Sequence, residues 1–242
     1  MSSATQNISI LVREQSFFHE YQPLWNTKFK KVFAYEALLR TDPRINPVFI
    51  FKQGREIGAL YDFDTASISK SIKKYPDSYW DKFFLFVNIF PSTIIHPKFT
   101  EFIKGLVSEY PIIKGRVIFE INEDPIESKL WNEEGFINGL LFLKSMKLMI
   151  ALDDLSFSSN ALEKIIQIKP HFAKLDRTCS ENLAKSLEKQ TDIESFLAIS
   201  DNLSVVVLEG IENKEDYVTA CNLGVLAVQG YYISKPQRLV NA

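Results

Sequence analysis

Eight short apolar runs in this chain of 242 residues end on polar side chains that have no packing use there. In chain order these are Gln22, Glu36, Asn88, Glu120, Asp153 with Asp154, Lys174, Glu209 and Gln229. One acid closing an apolar run is an ordinary loop residue. The same pattern in run after run is harder to dismiss, because burying unpaired charge is expensive. Five carboxylates drawn together (Glu36, Glu120, Asp153, Asp154 and Glu209) would repel one another unless a cation neutralised them, and the economical explanation is a metal site. With Asn88 they form a set of oxygen donors, which favours Mg²⁺ or Mn²⁺ over zinc. The three histidines, His19, His96 and His171, fall away from these run ends, and neither Cys179 nor Cys221 has a metal-binding neighbour. Adjacent aspartates point to opposite sides of an extended strand, so Asp153 and Asp154 can share a site only if the backbone turns between them. Two divalent cations held this way would suit in-line displacement at a phosphodiester. Lys174 could orient an attacking water or offset anionic charge, and Arg40 could meet a phosphate oxygen.

The elements that must position these groups alternate along the chain. The strand-like runs are EYQPLW, VFAYEALL, FFLFVNIF, RVIFEIN, LMIALDD, FAKLDR, SVVVLEGI and LAVQGYYI. Most are separated by amphipathic stretches with helical spacing. ALEKIIQI follows Ser159 and Asn160, either of which could cap it. NKEDYVTACNLG opens with Asn213 and Asp216 at capping-box spacing and stops at Gly224. Near-continuous apolar strands separated by helices imply a mostly parallel sheet covered on both faces. Eight of them in this length point to an α/β fold, a (β/α)₈ barrel, whose strands would bring their C-terminal ends to one rim. The first 16 residues read as an N-terminal arm and 17–242 as the barrel domain.

Composition bounds the rest. The chain is 46% hydrophobic, and its formal charge of −2 argues against a strongly basic surface and hence against duplex nucleic acid as the main partner. No run approaches the roughly 20 apolar residues of a membrane span, and the first residues lack the pattern of a signal peptide. Two cysteines without a metal motif read as free thiols, and the expected location is the cytoplasm.

In sequence, the run ends resemble the motifs of the EAL-domain family, bacterial phosphodiesterases that hydrolyse cyclic di-GMP to linear pGpG. Glu36-Ala37-Leu38 is the motif that names the family, and Val87-Asn88 its VN element. Glu120 to Glu123 matches ExxE, Asp153-Asp154 the double aspartate, and Lys174 to Arg177 KxDR. Glu209 to Glu212 matches EGxE, and Gln229-Gly230-Tyr231 follows. The resemblance implies a barrel with one antiparallel strand near the start, two ions of Mg²⁺ or Mn²⁺, and a homodimer. It implies that Glu36, Asn88, Glu120 and Asp153 hold one ion and that Asp153, Asp154 and Glu209 hold the other. Lys174 and Gln229 would position the nucleophilic water, joining Glu36 and Glu209 as catalytic residues. Gln22, Leu38, Arg40 and Asp176 would touch the substrate, and Glu123 would orient the loop after the double aspartate.

That loop departs from the family. Where the pattern is close to DDFGTGYSS, this chain has Asp153-Asp154-Leu155-Ser156-Phe157-Ser158-Ser159-Asn160-Ala161. Two glycines are replaced, by Ser156 and Ser158, and a serine forced to positive φ would cost about 1 kcal/mol or more, so the loop is expected to take another path. Three readings stay open here: an active phosphodiesterase, a receptor that binds cyclic di-GMP without turning it over, and a domain serving a protein partner.

Overall fold

The computed structural model describes residues 16–122 and 125–239. Eight strands close a barrel in sequential order. They are β1 (Phe17–Asn26), β2 (Lys31–Thr41), β3 (Phe84–Ile89), β4 (Val117–Asn122), β5 (Met149–Leu155), β6 (Phe172–Leu175), β7 (Val205–Leu208) and β8 (Ala227–Val228). β1 runs antiparallel to both of its neighbours, β2 and β8, and every other pairing is parallel. The expected fold is therefore present, including the reversed strand. The proposed arm lies almost wholly outside the described residues.

The reversal corrects one expectation. The C-terminal end of β1 is at the opposite rim from the others, so Gln22 is not a strand end at all. It joins the site from mid-strand, directly across from Glu36.

The barrel interior is built in layers. Its floor is an apolar layer with one residue from each strand: Leu24, Ala34, Phe86, Ile118, Ala151, Phe172, Val207 and Ala227. Side chains on a strand return to the same face every second residue. Two residues further along β2 to β7 come Glu36, Asn88, Glu120, Asp153, Lys174 and Glu209, and two beyond Ala227 comes Gln229. In the reversed β1 the count runs backwards, from Leu24 to Gln22. Repeating the apolar layer there would contribute about 1.5–3 kcal/mol per large side chain. The chain forgoes that gain at all eight positions, which marks the upper layer as a site.

Outside the barrel a larger apolar shell, including Ile68, Ile103, Phe136, Ile165 and Ile193, packs helices against the strands. Helix Ser159–Ile168 buries Ala161, Ile165 and Ile168 along one stripe. Its N-cap is Ser158, which accepts from the Ala161 backbone, rather than Ser159 or Asn160. Asn213 caps helix Lys214–Asn222 as the spacing predicts, accepting from Asp216 N at 2.8 Å. Cys179 and Cys221 are free thiols. Among the described residues no helix is long and apolar enough to cross a membrane.

Candidate metal centre

At the centre of the polar layer stands Lys174, which is 1% exposed. Its Nζ lies 2.6 Å from Glu120 Oε1, 2.7 Å from Glu209 Oε1, 3.1 Å from Asp153 Oδ1 and 3.3 Å from Glu36 Oε2. Asn88 spans Glu36 and Glu120, its Nδ2 at 3.4 Å from each carboxylate. Gln229 donates to Glu36 Oε2 at 2.7 Å and lies 3.4 Å from Gln22 Oε1, while Gln22 donates to the Ser234 carbonyl. Nine of the residues singled out in the sequence thus meet in one constellation: Gln22, Glu36, Asn88, Glu120, Asp153, Asp154, Lys174, Glu209 and Gln229.

Asp154 joins it through the backbone turn that the side-by-side aspartates require. Its φ is +56°, in the left-handed region, and the β5–β6 pairing breaks register between Leu152 and Leu155. Asp153, Asp154 and Glu209 consequently bring one oxygen each within 4.8 Å of one another. Asn122, the last residue of β4, donates to Asp154 Oδ2 and holds it there. The substituted loop carries no strain of its own at the serines. Neither Ser156 nor Ser158 has positive φ, and Ser158 is extended at φ −125° as the helix cap.

One ammonium does not balance these carboxylates. Burial, then the neighbouring Glu36, hold the Glu120 carboxyl well above the usual range. Burial raises Asp153 to about 6 and Glu209 to about 8, and raises Asp154 as well. Burial alone would pull Lys174 down, but Asp153, Glu120, Glu209 and Glu36 outweigh it and hold the ammonium well above its ordinary value. Glu120 Oε1 and Asp153 Oδ1 are buried, and among the described residues the shared Lys174 ammonium is the polar partner each of them has. Buried oxygens short of partners, repelling one another and free of soft ligands, fit hard divalent cations.

Beside this cluster a cavity of about 490 Å³ opens along β2 and β3. Glu36, Asn88, Asn122 and Asp154 line its inner end, and Leu38, Arg40, Phe51 and Phe90 its outer part. Leu38 is where the sequence places a substrate contact. Arg40 lines the cavity too, with Nε on Glu20 Oε2 at 2.8 Å and Nη1 on the Leu39 carbonyl, and Glu20 also pairs with Arg44. Asp176 is not among the cavity's lining residues; its carboxylate, whose charge reaches Asp154, caps helix Arg177–Ser180 by accepting from Thr178 N at 2.8 Å. Glu123 lies outside the described residues.

Sequence reasoning missed three participants, Asn122, Glu20 and Asp64. Asn122 was legible only as part of ExxE, and Glu20 opens the run EYQPLW, in which only Gln22 was singled out. Asp64 on helix Leu60–Lys74 is buried beside the cavity, accepts from Phe90 N at 3.1 Å, and is raised to about 7 by burial. His19 faces Ser67, with Nε2 at 3.0 Å from its hydroxyl, and burial together with Lys70 and Arg40 pushes its imidazole down to about 3. It is a neutral packing group, as expected, although it lines the cavity.

Comparison with known proteins agrees with this architecture. The EAL domain family model matches residues 5–236. The chain is 28% identical over 150 residues to the cyclic di-GMP phosphodiesterase RocR of Pseudomonas aeruginosa, covering 62% of this chain and 38% of that protein. It is 24% identical to the probable cyclic di-GMP phosphodiesterase PdeN of Escherichia coli, covering 96% of this chain and 45% of that one. It therefore spans less than half the length of these relatives. Its fold superposes on the FimX EAL domain of P. aeruginosa, solved with c-di-GMP bound, with a TM-score of 0.87 at 18% identity and 98% of each chain covered. The chain belongs to the EAL domain family.

Proposed function

We propose that this chain hydrolyses cyclic di-GMP to linear pGpG with the help of two divalent cations, Mg²⁺ or Mn²⁺. The observation that carries the reading is the polar layer itself: every oxygen donor is present, and the turn at Asp154 brings it to Asp153 and Glu209 in spite of the altered loop. Glu36, Asn88, Glu120 and Asp153 would hold one cation, and Asp153, Asp154 and Glu209 the other. Bound there, the pair would supply a water of lowered pKa and neutralise charge on the phosphate oxygens.

The chain's own groups do the rest. Lys174 keeps the carboxylates within a few ångströms of one another and offers its ammonium to an anionic oxygen. Gln229, fixed by its bond to Glu36, has a buried Oε1 without a partner and can accept from a water, which orients that water's lone pair. Leu38 and Arg40 line the cavity that would seat the dinucleotide. Phe51 and Phe90 offer apolar area for its bases.

The test is turnover of cyclic di-GMP by the purified chain in Mg²⁺ or Mn²⁺, followed as pGpG, with binding titrated in Ca²⁺. Metal-dependent pGpG formation is the expected result. Tight binding without product in either metal would refute hydrolysis and leave a receptor.

A further inference from the structure

The end of the barrel opposite the site is unlike the rest of the molecule. The loops entering β2 to β6 all converge on it, and each brings exposed lysine: Lys28, Lys30 and Lys31 in the β1–β2 turn, then Lys82, Lys114, Lys147 and Lys169. Three lysines from neighbouring connections, Lys144, Lys147 and Lys169, line a single hollow of about 360 Å³. The acids of this face are fewer: Asp77, Asp81, Glu109 and Asp201. The whole-chain charge of −2 hides this asymmetry, because the carboxylates gather at the other rim and the lysines here.

The face also carries apolar side chains that the described residues leave exposed. Phe29, at the tip of the β1–β2 turn, is 65% exposed, with the ammonium groups of Lys28 and Lys31 at 5.9 and 5.7 Å from its ring. The turn is held in shape by Phe29 N donating to Asn26 Oδ1 at 2.8 Å. Thr27 N donates to the Leu226 carbonyl at 3.0 Å, which places Leu226, 48% exposed, in the adjoining loop.

From this arrangement we infer that the N-terminal face of the barrel docks on an anionic lipid surface. Phe29 and Leu226 would enter the headgroup region, and the surrounding lysines would meet lipid phosphates. The choice of cation separates this from nucleic acid. Arginine forks suit phosphodiester backbones, whereas compact ammonium charges on flexible stems suit a fluid array of headgroups. Of the described arginines only Arg116 lies here, and its guanidinium is engaged with the Asp81 carbonyl and the Phe84 ring. Arg40, Arg44, Arg55 and Arg177 pair with acids at the site end. Docking by the lysine face leaves the cavity and the carboxylate layer open to solution. The inference does not depend on catalysis.

The experiment is sedimentation of the full chain with phosphatidylcholine vesicles, with and without about 30% phosphatidylglycerol, in roughly 0.1 and 0.5 M salt. Binding is expected only to the anionic vesicles, and it should weaken at the higher salt. Each lysine neutralised should lower the partition coefficient by about fivefold, so Lys28→Glu/Lys31→Glu should lower it by more than an order of magnitude. Lys82→Glu/Lys114→Glu, on separate loops of the same face, checks the effect should the turn variant unfold. Phe29→Ser should weaken binding while leaving its salt dependence intact. The same charge change at the other end, Lys185→Glu/Lys214→Glu, should leave binding as it is. Equal affinity for neutral and anionic vesicles would overturn the inference, as would an equal loss in the opposite-end variant. Displacement from the vesicles by stoichiometric duplex DNA would assign the face to nucleic acid instead.

Discussion

Replacing Lys174 with methionine keeps most of the side chain's volume and removes the one cation that four carboxylates share. At an effective dielectric near 20, a full charge about 3 Å away contributes roughly 5 kcal/mol. With contacts of 2.6, 2.7, 3.1 and 3.3 Å, the gross attraction would be on the order of 20 kcal/mol were every carboxylate ionised. They are not all ionised: Glu120, Asp153 and Glu209 sit high, and in the variant they would rise further and take up protons. What survives is the cost of buried charge left without a partner, about 3–5 kcal/mol. For a chain of this size that is a fall in Tm on the order of 10 °C. The assay is thermal unfolding in EDTA at pH 8 and pH 6. The sign follows from the raised carboxyl values, because stability is lost as pH rises through the folded pKa. The deficit should thus be large at pH 8 and smaller at pH 6, where Glu209 already carries its proton. Mn²⁺ should restore part of it, and so should Glu209→Gln in the same chain. A Tm at pH 8 within about 2 °C of wild type, or a deficit that grows at pH 6, would refute the reasoning.

In the unaltered chain without metal, Tm should fall between pH 6.5 and 8.5, since Asp64 and Glu209 lose protons there that the unfolded chain has already lost. His19 opposes this only below 6.5, where the unfolded imidazole gains the proton that the folded one refuses. Calorimetry with and without Mn²⁺ should find the metal's stabilisation greater at pH 8 than at pH 6.5, and Glu209→Gln should flatten the slope. Glu36→Ala and Asp153→Ala should each lower metal-dependent pGpG formation by at least about a hundredfold; normal turnover in either would mean that the ligand set is wrong. Gly210→Ala should lower Tm and weaken metal binding together, because φ is +71° there and a Cβ would come within 2.9 Å of the Arg177 backbone, beside Glu209. A stability loss of about 1–3 kcal/mol with unchanged Mn²⁺ affinity would separate the glycine from the site.

The strands were legible because a buried parallel sheet demands near-continuous apolar runs, and the site because eight such runs stop at polar residues for no packing reason. The order of layers was legible in principle too, since period two carries Phe86 to Asn88 and Ile118 to Glu120 in any strand. Direction was not. Nothing local in Phe17–Asn26 says that it runs opposite to its neighbours, so Gln22 read as a strand end when it is a mid-strand residue paired with Glu36. Length was also hidden at the end of the chain. The apolar run LAVQGYYI pairs only through Ala227–Val228 before Gly230, at φ +157°, packs against the Ile211 backbone. Pairings between distant side chains, such as Arg40 with Glu20 or Asn122 with Asp154, depend on which strands are neighbours, and spacing does not record that.

With its usual residues replaced, the altered loop still leaves Asp154 turned toward Asp153 and Glu209. What the site needs after Asp153 is a single residue in the left-handed region, so that a second carboxylate returns to the inner face. Asp154 supplies that conformation itself, and aspartate tolerates it because its short carboxylate can bond locally. Asn122 provides the bond. The loop beyond is then free to change, provided that it still starts the next helix. Ser158 does so by capping Ser159–Ile168 in an extended conformation that glycine is not needed to reach. The two glycine positions therefore bear on how the chain leaves the rim, whereas the turn at Asp154, with its Asn122 anchor, bears on whether the second proposed cation could be held between β5 and β7. Substituting Asn122 with alanine should accordingly weaken Mn²⁺ binding and turnover more than restoring glycine at Ser156 and Ser158 improves them. The reverse ranking would place control of the site in the loop.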